Sequence, residues 1–548
     1  MHPTVDLARS PLFQLRSDSL SWQARIALSY DRARAIAKIY ELTVDDILHV
    51  SPRYWLFHTD PILVMDGSVA TLLTIHFNLC IGTLAMFVSA RSDLVKTIEE
   101  LLRFEITGQY CLTELGHGLD VINLETTATA LETGGFELHT PNERAAKYMP
   151  PTIPSGIPCT AVVFARLRVG MSDRGIKPFL VPIHDGRVMY PGITSRSLSP
   201  RGGTHPVNHA LTSFNHVHLR QSSLLCDSLL PSNVKTEFFN NISRVVVGTL
   251  SMGALGVSAL RIATFVAATY SQRRAVVDSA RQVPRTIISF STQYLPILVA
   301  ISQTMVLNTF SHASRDWFVG TSSSIARHFV AAVYKVTAVT LASDMTLALG
   351  DRCGAQGLFE INQLSVLHSE LRGAATAEGD ILGISIRFAI DVLLKRVVVP
   401  PSTDPTSLLA RHESLLVAEL RAFLQDATGP RDRRTESALL PQCQGLLEAI
   451  GHRLAYDAAK ARGIEDAVLQ LYEASIVALD PAWYVEHEGI SRRRQCTMLL
   501  ESADHLYPRL DELLAGLQVD AYITAPIVSE ERWDGTLVSA RTAVEVWS

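Results

Sequence analysis

The stretch that decides the fold runs from Cys111 to Ala130 and reads CLTELGHGLDVINLETTATA. Its glycines, Gly116 and Gly118, can adopt positive φ and allow a ligand to approach the backbone closely. The threonines and alanines after Glu125 alternate with the two-residue period of a β-strand. By itself this pattern is also typical of a surface β-turn, so the rest of the chain has to decide between a turn and a binding loop.

The composition indicates a globular protein with more than one domain. The chain has 548 residues, of which 47% are hydrophobic and 19% charged, and its net charge is -5. A chain of this length is too long for one core, and its weak negative charge provides no general field for nucleic acid. We therefore expect two to four domains, no nucleic-acid partner, and anionic ligands held only by local arginines or lysines.

The cysteines and the chain ends bear on the compartment. Seven scattered cysteines, none in C-x-x-C spacing, favour a reducing compartment without a disulfide framework or a structural zinc site. The first twenty residues lack the apolar core of a signal peptide, and the last three residues, 546–548, are not a Ser-Lys-Leu peroxisomal signal. We expect a soluble intracellular protein, cytoplasmic rather than peroxisomal.

One segment has the length and composition of a membrane span. Between Val245 and Ala268 only Arg261 is charged. An entirely apolar helix is also what a large helical core requires, and no second segment of this kind stands out in the sequence. We therefore expect a buried core helix and no membrane span.

Segments with a helical sequence pattern alternate along the chain with segments that have a β-rich pattern. Helical periodicity extends to about residue 104, short β-branched runs separated by turns follow, and helical patterns return after residue 232. The prolines of VVVPPSTDPTS mark a linker near residue 400. We expect an N-terminal helical domain over 1–104, a middle β domain over 105–228, a helical bundle over 229–399 and a second C-terminal helical domain over 400–548.

Several segments in this order resemble the acyl-CoA oxidase branch of the acyl-CoA dehydrogenase superfamily. The TELGHG and LETTA motifs of the opening stretch are similar to the middle domain of that family. The other matching segments are TDPI, TLLTIHFNLCIGTLAMF, VVFARLRVGMSDRGIKPFLVPIHD, TYSQRR, DRCGAQG and TAEGDILGISIRFAIDVLLK. The resemblance implies a mostly α fold with a middle β-barrel domain, and a homodimer.

The resemblance also implies the chemistry and its residues. Family members remove hydrogens from Cα and Cβ of an acyl thioester such as an acyl-CoA, with a carboxylate base and FAD as hydride acceptor. Glu378 matches the base. The positions that match cofactor-binding residues are Thr113, Gly118, Arg273, Gly379 and Asp380. Arg387 matches a family arginine that serves equally well as an ion-pair partner.

The histidines His209, His216 and His218 are close in sequence and invite a metal interpretation. They follow a β-hairpin pattern and have no acidic partner at ligand spacing. We therefore expect packed or surface histidines and assign no metal.

The departures from the family pattern cluster at positions that contact flavin. Leu119 stands in place of a small polar residue, and YMPPT replaces Trp-Trp-Pro-Gly-Gly, with Pro151 in place of a glycine that offers an N–H. In CGAQG, Ala355 and Gln356 replace Gly and His. Ile381 replaces an Asn, and Ala377 replaces an aromatic residue beside the base.

Three functions are compatible with this pattern. The first is an acyl-CoA oxidase-like flavoenzyme, acting on a specialised-metabolite substrate for which Ala377 leaves room, with FAD held weakly. The second is a flavin-free acid–base enzyme, such as an isomerase or cyclase, that uses Glu378. The third is a catalytically inactive dimeric binding protein, which the retained Glu378-Gly379-Asp380 disfavours.

Overall fold

The structure is a computed structural model that describes residues 2–15, 17, 20–203, 206–226, 233–277, 282–425 and 432–538. Its chain separates into two compact units. The first comprises His2–Phe57 and Asp66–Gly248, and the second comprises His58–Met65 and the chain from Thr249 onward. The four domains expected from the sequence stay a prediction, because the two compact units do not correspond to them one by one.

The chain before the first strand is helical. Thr43 and Asp46 begin one helix with a reciprocal capping box, in which each side chain accepts from the other residue's backbone N–H. The helices are α1 (Val5–Arg9), α2 (Pro11–Gln14), α3 (Trp22–Tyr40), α4 (Val44–His49), α5 (Pro52–His58), α6 (Ile62–Met65), α7 (Gly67–Leu73), a π-helix (Thr74–Ile81), α8 (Gly82–Ala85) and α9 (Val95–Leu102).

A buried histidine in the π-helix joins three elements of the first unit. The backbone N–H of Gly108 donates to His76 Nδ1 over 2.9 Å, so the proton of the neutral ring is on Nε2, which lies 2.9 Å from the carbonyl oxygen of Leu101. Burial lowers the pKa of His76 to about 4, against the opposing effect of the Leu101 hydrogen bond. The ring therefore ties α9 and the first strand to the π-helix in its neutral form.

The β region of the first unit consists of two sheets. Six strands pair in the order β1-β5-β2-β3-β9, with β6 also paired to β5, and three pair in the order β4-β8-β7. Strand β5 pairs in parallel with β1 and β2 and antiparallel with β6. The strands are β1 (Thr107–Cys111), β2 (Thr127–Ala130), β3 (Phe136–His139), β4 (Lys147–Tyr148), β5 (Cys159–Val169), β6 (Ser172–His184), β7 (Ile193–Ser197), β8 (Ala210–Phe214) and β9 (Val217–Leu219).

The chain after the sheets is helical again, apart from a short hairpin of β10 (Ala275–Val277) and β11 (Pro284–Thr286). The helices are α10 (Val234–Asn241), α11 (Arg244–Arg273), α12 (Ser291–Gly320), α13 (Ser324–Arg352), α14 (Leu364–Thr376), α15 (Ile381–Leu393), α16 (Leu408–Gln425), α17 (Arg433–Ala438), α18 (Cys443–Ala461), α19 (Asp466–Val477), α20 (Pro481–Glu488), α21 (Arg492–Leu506), α22 (Leu510–Ala515) and α23 (Glu530–Val538). In the second unit α12 packs on α13, α18 and α19.

Small residues bring α11 close to α13 in the second unit. A Cβ added to Gly256 would lie 2.9 Å from the carbonyl oxygen of Ala338, and one added to Gly253 would lie 2.5 Å from the ring of Tyr334. Because neither distance leaves room for a side chain, the Gly and Ala content of α11 reflects helix packing. This agrees with the expected core helix.

Within the described residues, four helical segments, rather than the one expected, are long and apolar enough to cross a membrane. They are Gly67–Ala85, Val234–Arg273, Ser291–Gly320 and Ser324–Arg352, and between 72% and 89% of each apolar window is buried inside the protein. This burial supports a role in the core, where helices that are apolar all round are expected. The architecture confirms the expected fold class, mostly helical with a central β domain.

The buried His76 predicts a loss of stability at acidic pH. Its pKa in the folded protein, about 4, lies below its ordinary value of 6.5, so the unfolded chain binds the proton more readily. The resulting loss of stability begins as the pH falls below 6.5, reaches about 2 kcal/mol at pH 5, and is complete near pH 4. The melting temperature should therefore fall more between pH 7.5 and pH 5 in the wild type than in His76→Gln. An equal fall in the two proteins would contradict this assignment of the His76 pKa.

Candidate functional site

The TELGHG turn is built around a buried ion pair in the first unit. Lys147 Nζ lies 2.9 Å from Glu114 Oε1, and both side chains are fully buried. The carboxylate also accepts from the backbone N–H groups of Glu125, at 2.8 Å, and Thr126, at 3.0 Å. Lys147 further donates to the carbonyl oxygen of Phe164 over 2.7 Å. The turn is therefore fixed to three neighbouring strands.

Around this ion pair the predicted cofactor residues of the first unit remain accessible. Thr113 is half-buried, and within the described residues its hydroxyl makes no hydrogen bond, while its carbonyl accepts from Tyr148 N–H over 2.9 Å. A Cβ added to Gly118 would meet no atom within 4 Å, so the turn is open at that point. The neighbouring Leu119 is 84% exposed.

The segment that replaces the family's Trp-Trp-Pro-Gly-Gly is held by its own side-chain contacts. Met149 adopts φ +79°, an unusual conformation for a side-chain-bearing residue. The hydroxyl of Thr152 lies 2.6 Å from that of Thr212 and 2.9 Å from that of Ser195. Asn208 donates to the carbonyl oxygen of Ile153 over 2.9 Å. These contacts were not predictable from the sequence, because each joins residues more than 40 positions apart.

The predicted base lies on a short loop of the second unit, between α14 and α15. Glu378 is half-buried and adopts φ +51°, a left-handed backbone conformation. Its carbonyl oxygen accepts from the Thr249 hydroxyl over 2.6 Å. The next residue, Gly379, has φ +100°, which only glycine adopts readily. The loop therefore presents Glu378 from a constrained backbone.

A lysine that the sequence reasoning missed lies under this loop. Lys335, on α13, is completely buried, and its Nζ donates to the carbonyl oxygens of Ala377 over 2.6 Å and of Gly379 over 2.5 Å. Burial lowers the pKa of Lys335 to about 7, while the charges of Glu378 and Asp380 act in the opposite direction. The signal for it was present, since Lys335 interrupts an otherwise apolar run in AAVYKVTAV.

Asp380 has a structural role in addition to its predicted one. Its Oδ1 accepts from the backbone N–H of Gly383 over 3.1 Å, which makes Asp380 the N-cap of α15. Ile381, in place of the family's Asn, is buried in the first turn of this helix. Glu378, Gly379 and Asp380 are thus brought together by one capped loop.

The predicted cofactor residue Arg273 contacts the C-terminal part of its own unit. Its guanidinium donates from Nε and Nη2 to the carbonyl oxygen of Ile527, over 3.2 and 3.0 Å. Arg261, on the same helix, donates in the same way to the carbonyl oxygen of Leu517, over 3.1 and 2.6 Å. Arg387 contacts His328 and lies over the ring of Phe388.

Among the described residues, no group of three or more His, Cys, Asp and Glu side chains is placed to hold a metal ion. The histidines singled out in the sequence have other partners. His209 contacts the carbonyl oxygen of Met149, and His216 lies 3.0 Å from Glu137 and stacks on His139.

The residues present fit a flavin with fewer donors than the family motif supplies. The backbone N–H groups of residues 115–117 all donate to protein carbonyls, and Pro150 and Pro151 have none to offer. What remains in this region is the Thr113 hydroxyl and the open turn at Gly118. Arg273 keeps N–H groups beyond the two that bind Ile527, because a guanidinium carries five. Each unit therefore retains donors or open backbone for a polar cofactor, fewer than the family motif supplies.

The chain is similar in sequence to acyl-CoA oxidases, although no family model matches it. It is 25% identical over 404 residues to peroxisomal acyl-coenzyme A oxidase 3 of Homo sapiens, covering 68% of this chain and 57% of the human protein. It is 24% identical over 362 residues to acyl-coenzyme A oxidase 2, peroxisomal, of Arabidopsis thaliana, covering 61% of this chain and 51% of that protein. The matches thus span about half the length of these relatives.

The fold is that of solved acyl-CoA oxidases. Acyl-CoA oxidase 1 of Yarrowia lipolytica superimposes with a TM-score of 0.84 and 16% identity, covering 100% of this chain and 91% of that one. Acyl-CoA oxidase-1 of Caenorhabditis elegans, solved in complex with FAD and ATP, gives a TM-score of 0.78 and 17% identity, covering 98% and 90%. The resemblance inferred from the motifs is confirmed.

The expectation of a cytoplasmic rather than peroxisomal location was wrong. The human relative and the Arabidopsis relative are both named as peroxisomal proteins. The expectation depended on residues 546–548, which lie outside the described residues and do not decide the compartment.

The buried ion pair beneath the TELGHG turn predicts a large loss of stability when one partner is removed. Lys147→Met leaves the Glu114 carboxylate buried without its counter-charge, which should lower the free energy of unfolding by about 3–5 kcal/mol. Chemical denaturation measures this loss, and Lys96→Met, at an exposed position of the same unit, should cost almost nothing. Adding Glu114→Gln to Lys147→Met should recover part of the loss, whereas a loss below about 1 kcal/mol for Lys147→Met would contradict the role of the pair.

Proposed function

Because this chain has the fold of the acyl-CoA oxidases and its curated relatives are acyl-CoA oxidases, we propose that it oxidises an acyl-CoA or a related acyl thioester. The proposal is carried by the constrained loop around Glu378. Three consecutive carbonyls of this loop accept from side chains of the same unit, which constrains the backbone that carries Glu378.

In the proposed reaction Glu378 removes a proton from the α-carbon of the thioester. The C–H bond breaks, its electron pair stays on the substrate, and the carboxylate oxygen receives the proton. FAD, when bound, supplies the acceptor for the β-hydride. A homodimer and a peroxisomal location belong to the same proposal, which draws them from the family resemblance and from the relatives' names respectively.

The cofactor residues are proposed in two groups. In the first unit Thr113 offers a hydroxyl, and Gly118 allows close approach to the backbone. In the second unit Arg273 offers its remaining N–H groups, and Gly379 and Asp380 flank the base. For the substrate we propose a specialised, bulkier acyl group, because the small, exposed Ala377 stands where the family has an aromatic residue.

A flavin-free acid–base enzyme is the second candidate. The observation that favours it is the segment 149–153, where two prolines remove N–H donors and polar side chains hold the backbone in place. Such an enzyme keeps the proton transfer by Glu378 and loses only the redox step. The two candidates therefore differ in the cofactor and agree on the base.

Glu378→Gln tests the base. The amide keeps the shape of the side chain but accepts no proton, so turnover of an acyl-CoA should fall by about 10²–10⁴-fold while the melting temperature stays the same. Glu486→Gln, an exposed position of the same unit, removes the same charge and should leave turnover unchanged. Turnover of Glu378→Gln within a few-fold of the wild type would place the chemistry elsewhere.

Added FAD tests the cofactor. Each hydrogen bond lost to the flavin is worth about 0.5–1.5 kcal/mol, so two or three losses weaken binding by roughly one to three decades. We expect FAD to be partly lost on purification, and added FAD to raise the melting temperature. Thr113→Val should reduce this rise, whereas Thr129→Val, at a half-buried position of a neighbouring strand, should not. An unchanged melting temperature at saturating FAD, with activity retained, would favour the flavin-free enzyme.

A further inference from the structure

Lys335 is a buried cation with a specific set of partners. It lies on α13 among buried apolar residues and is completely shielded from solvent. A charged ammonium in such a place is costly unless it is hydrogen-bonded and near opposite charge. The carbonyl oxygens of Ala377 and Gly379 satisfy two of its three N–H donors, over 2.6 and 2.5 Å.

These partners flank the proposed base on both sides. Glu378 lies between the two carbonyl groups and adopts φ +51°. A left-handed backbone is unfavourable for a residue with a side chain and persists only where its surroundings impose it. The hydrogen bonds from Lys335 to the carbonyl oxygens of Ala377 and Gly379 hold this conformation. The Thr249 hydroxyl donates to the carbonyl oxygen of Glu378 itself over 2.6 Å.

Electrostatic attraction also favours Lys335 at this loop. The charges of Glu378 and Asp380 both favour the ammonium form of Lys335, against the effect of burial. This attraction adds to the two hydrogen bonds that hold Lys335 at the Glu378 loop.

We propose that Lys335 is the positioning residue of the Glu378 base: its Nζ fixes the left-handed backbone that aims the carboxylate. This inference rests on the proposed function, because it gives Lys335 a role only through Glu378. Lys335 takes no part in the transfer itself, in which the α-carbon proton passes to the carboxylate.

The test measures removal of the α-proton by the base separately from the redox step. Exchange of the α-protons of hexanoyl-CoA in D2O, followed by mass spectrometry, requires only the base. Lys335→Met keeps the length of the side chain and removes the donors and the charge, so exchange should slow about 10–100-fold, with KM changed less than about threefold. Thr337→Val, on the same helix, removes a hydrogen bond to Val333 and should leave exchange unchanged.

A double variant separates positioning from general destabilisation. If Lys335 acts through Glu378, then Lys335→Met should cause no further loss in the Glu378→Gln background. If the exchange rate of the double variant falls by the product of the two single-variant losses, the proposal is overturned. Should Lys335→Met fail to fold, Lys335→Gln makes the same test with a shorter, uncharged polar side chain, and it should slow exchange in the wild type and not in Glu378→Gln.

The outcomes distinguish this inference from the proposed function. Exchange by Glu378→Gln at the wild-type rate would overturn both. Loss of exchange in Glu378→Gln, together with unchanged exchange in Lys335→Met or in Lys335→Gln, would overturn the role of Lys335 alone and leave the base in place.

Discussion

The pairing of Lys147 with Glu114 is the interaction on which the β region of the first unit depends. Both side chains are fully buried, so neither charge is tolerable without the other. The lysine also donates to the carbonyl oxygen of Phe164, and the carboxylate accepts two backbone N–H groups near the start of β2. One ion pair thus holds the ends of strands that are far apart in sequence and leaves the turn between them open for a ligand.

The second unit uses a buried lysine in the same way. Lys335 gathers carbonyls on both sides of Glu378, as Lys147 gathers groups around the TELGHG turn. In each case a loop with candidate functional groups is supported from the protein interior by a cation with several acceptors. Support of this kind fixes the backbone of a loop from the interior of its unit.

The order of helical and β segments was predictable because periodicity and turn residues act locally. The TELGHG turn and the Glu378 loop were recognisable because their motifs are contiguous in sequence. The partners of Lys335 were not, since they lie 42 and 44 residues further along the chain. The contact of Arg273 with Ile527 was equally hidden, because a carbonyl group 254 residues away has no signature in the sequence.

The contacts of α11 with the last part of the chain have a consequence for the timing of synthesis. Arg261 and Arg273 donate to carbonyl oxygens that are 256 and 254 residues further on. A ribosome adds about 5–20 residues per second, so both guanidinium groups wait roughly 10 to 50 seconds for their partners. During that interval the two arginines of α11 lack these carbonyl acceptors. The second unit is therefore completed only after residues 517 and 527 have been synthesised.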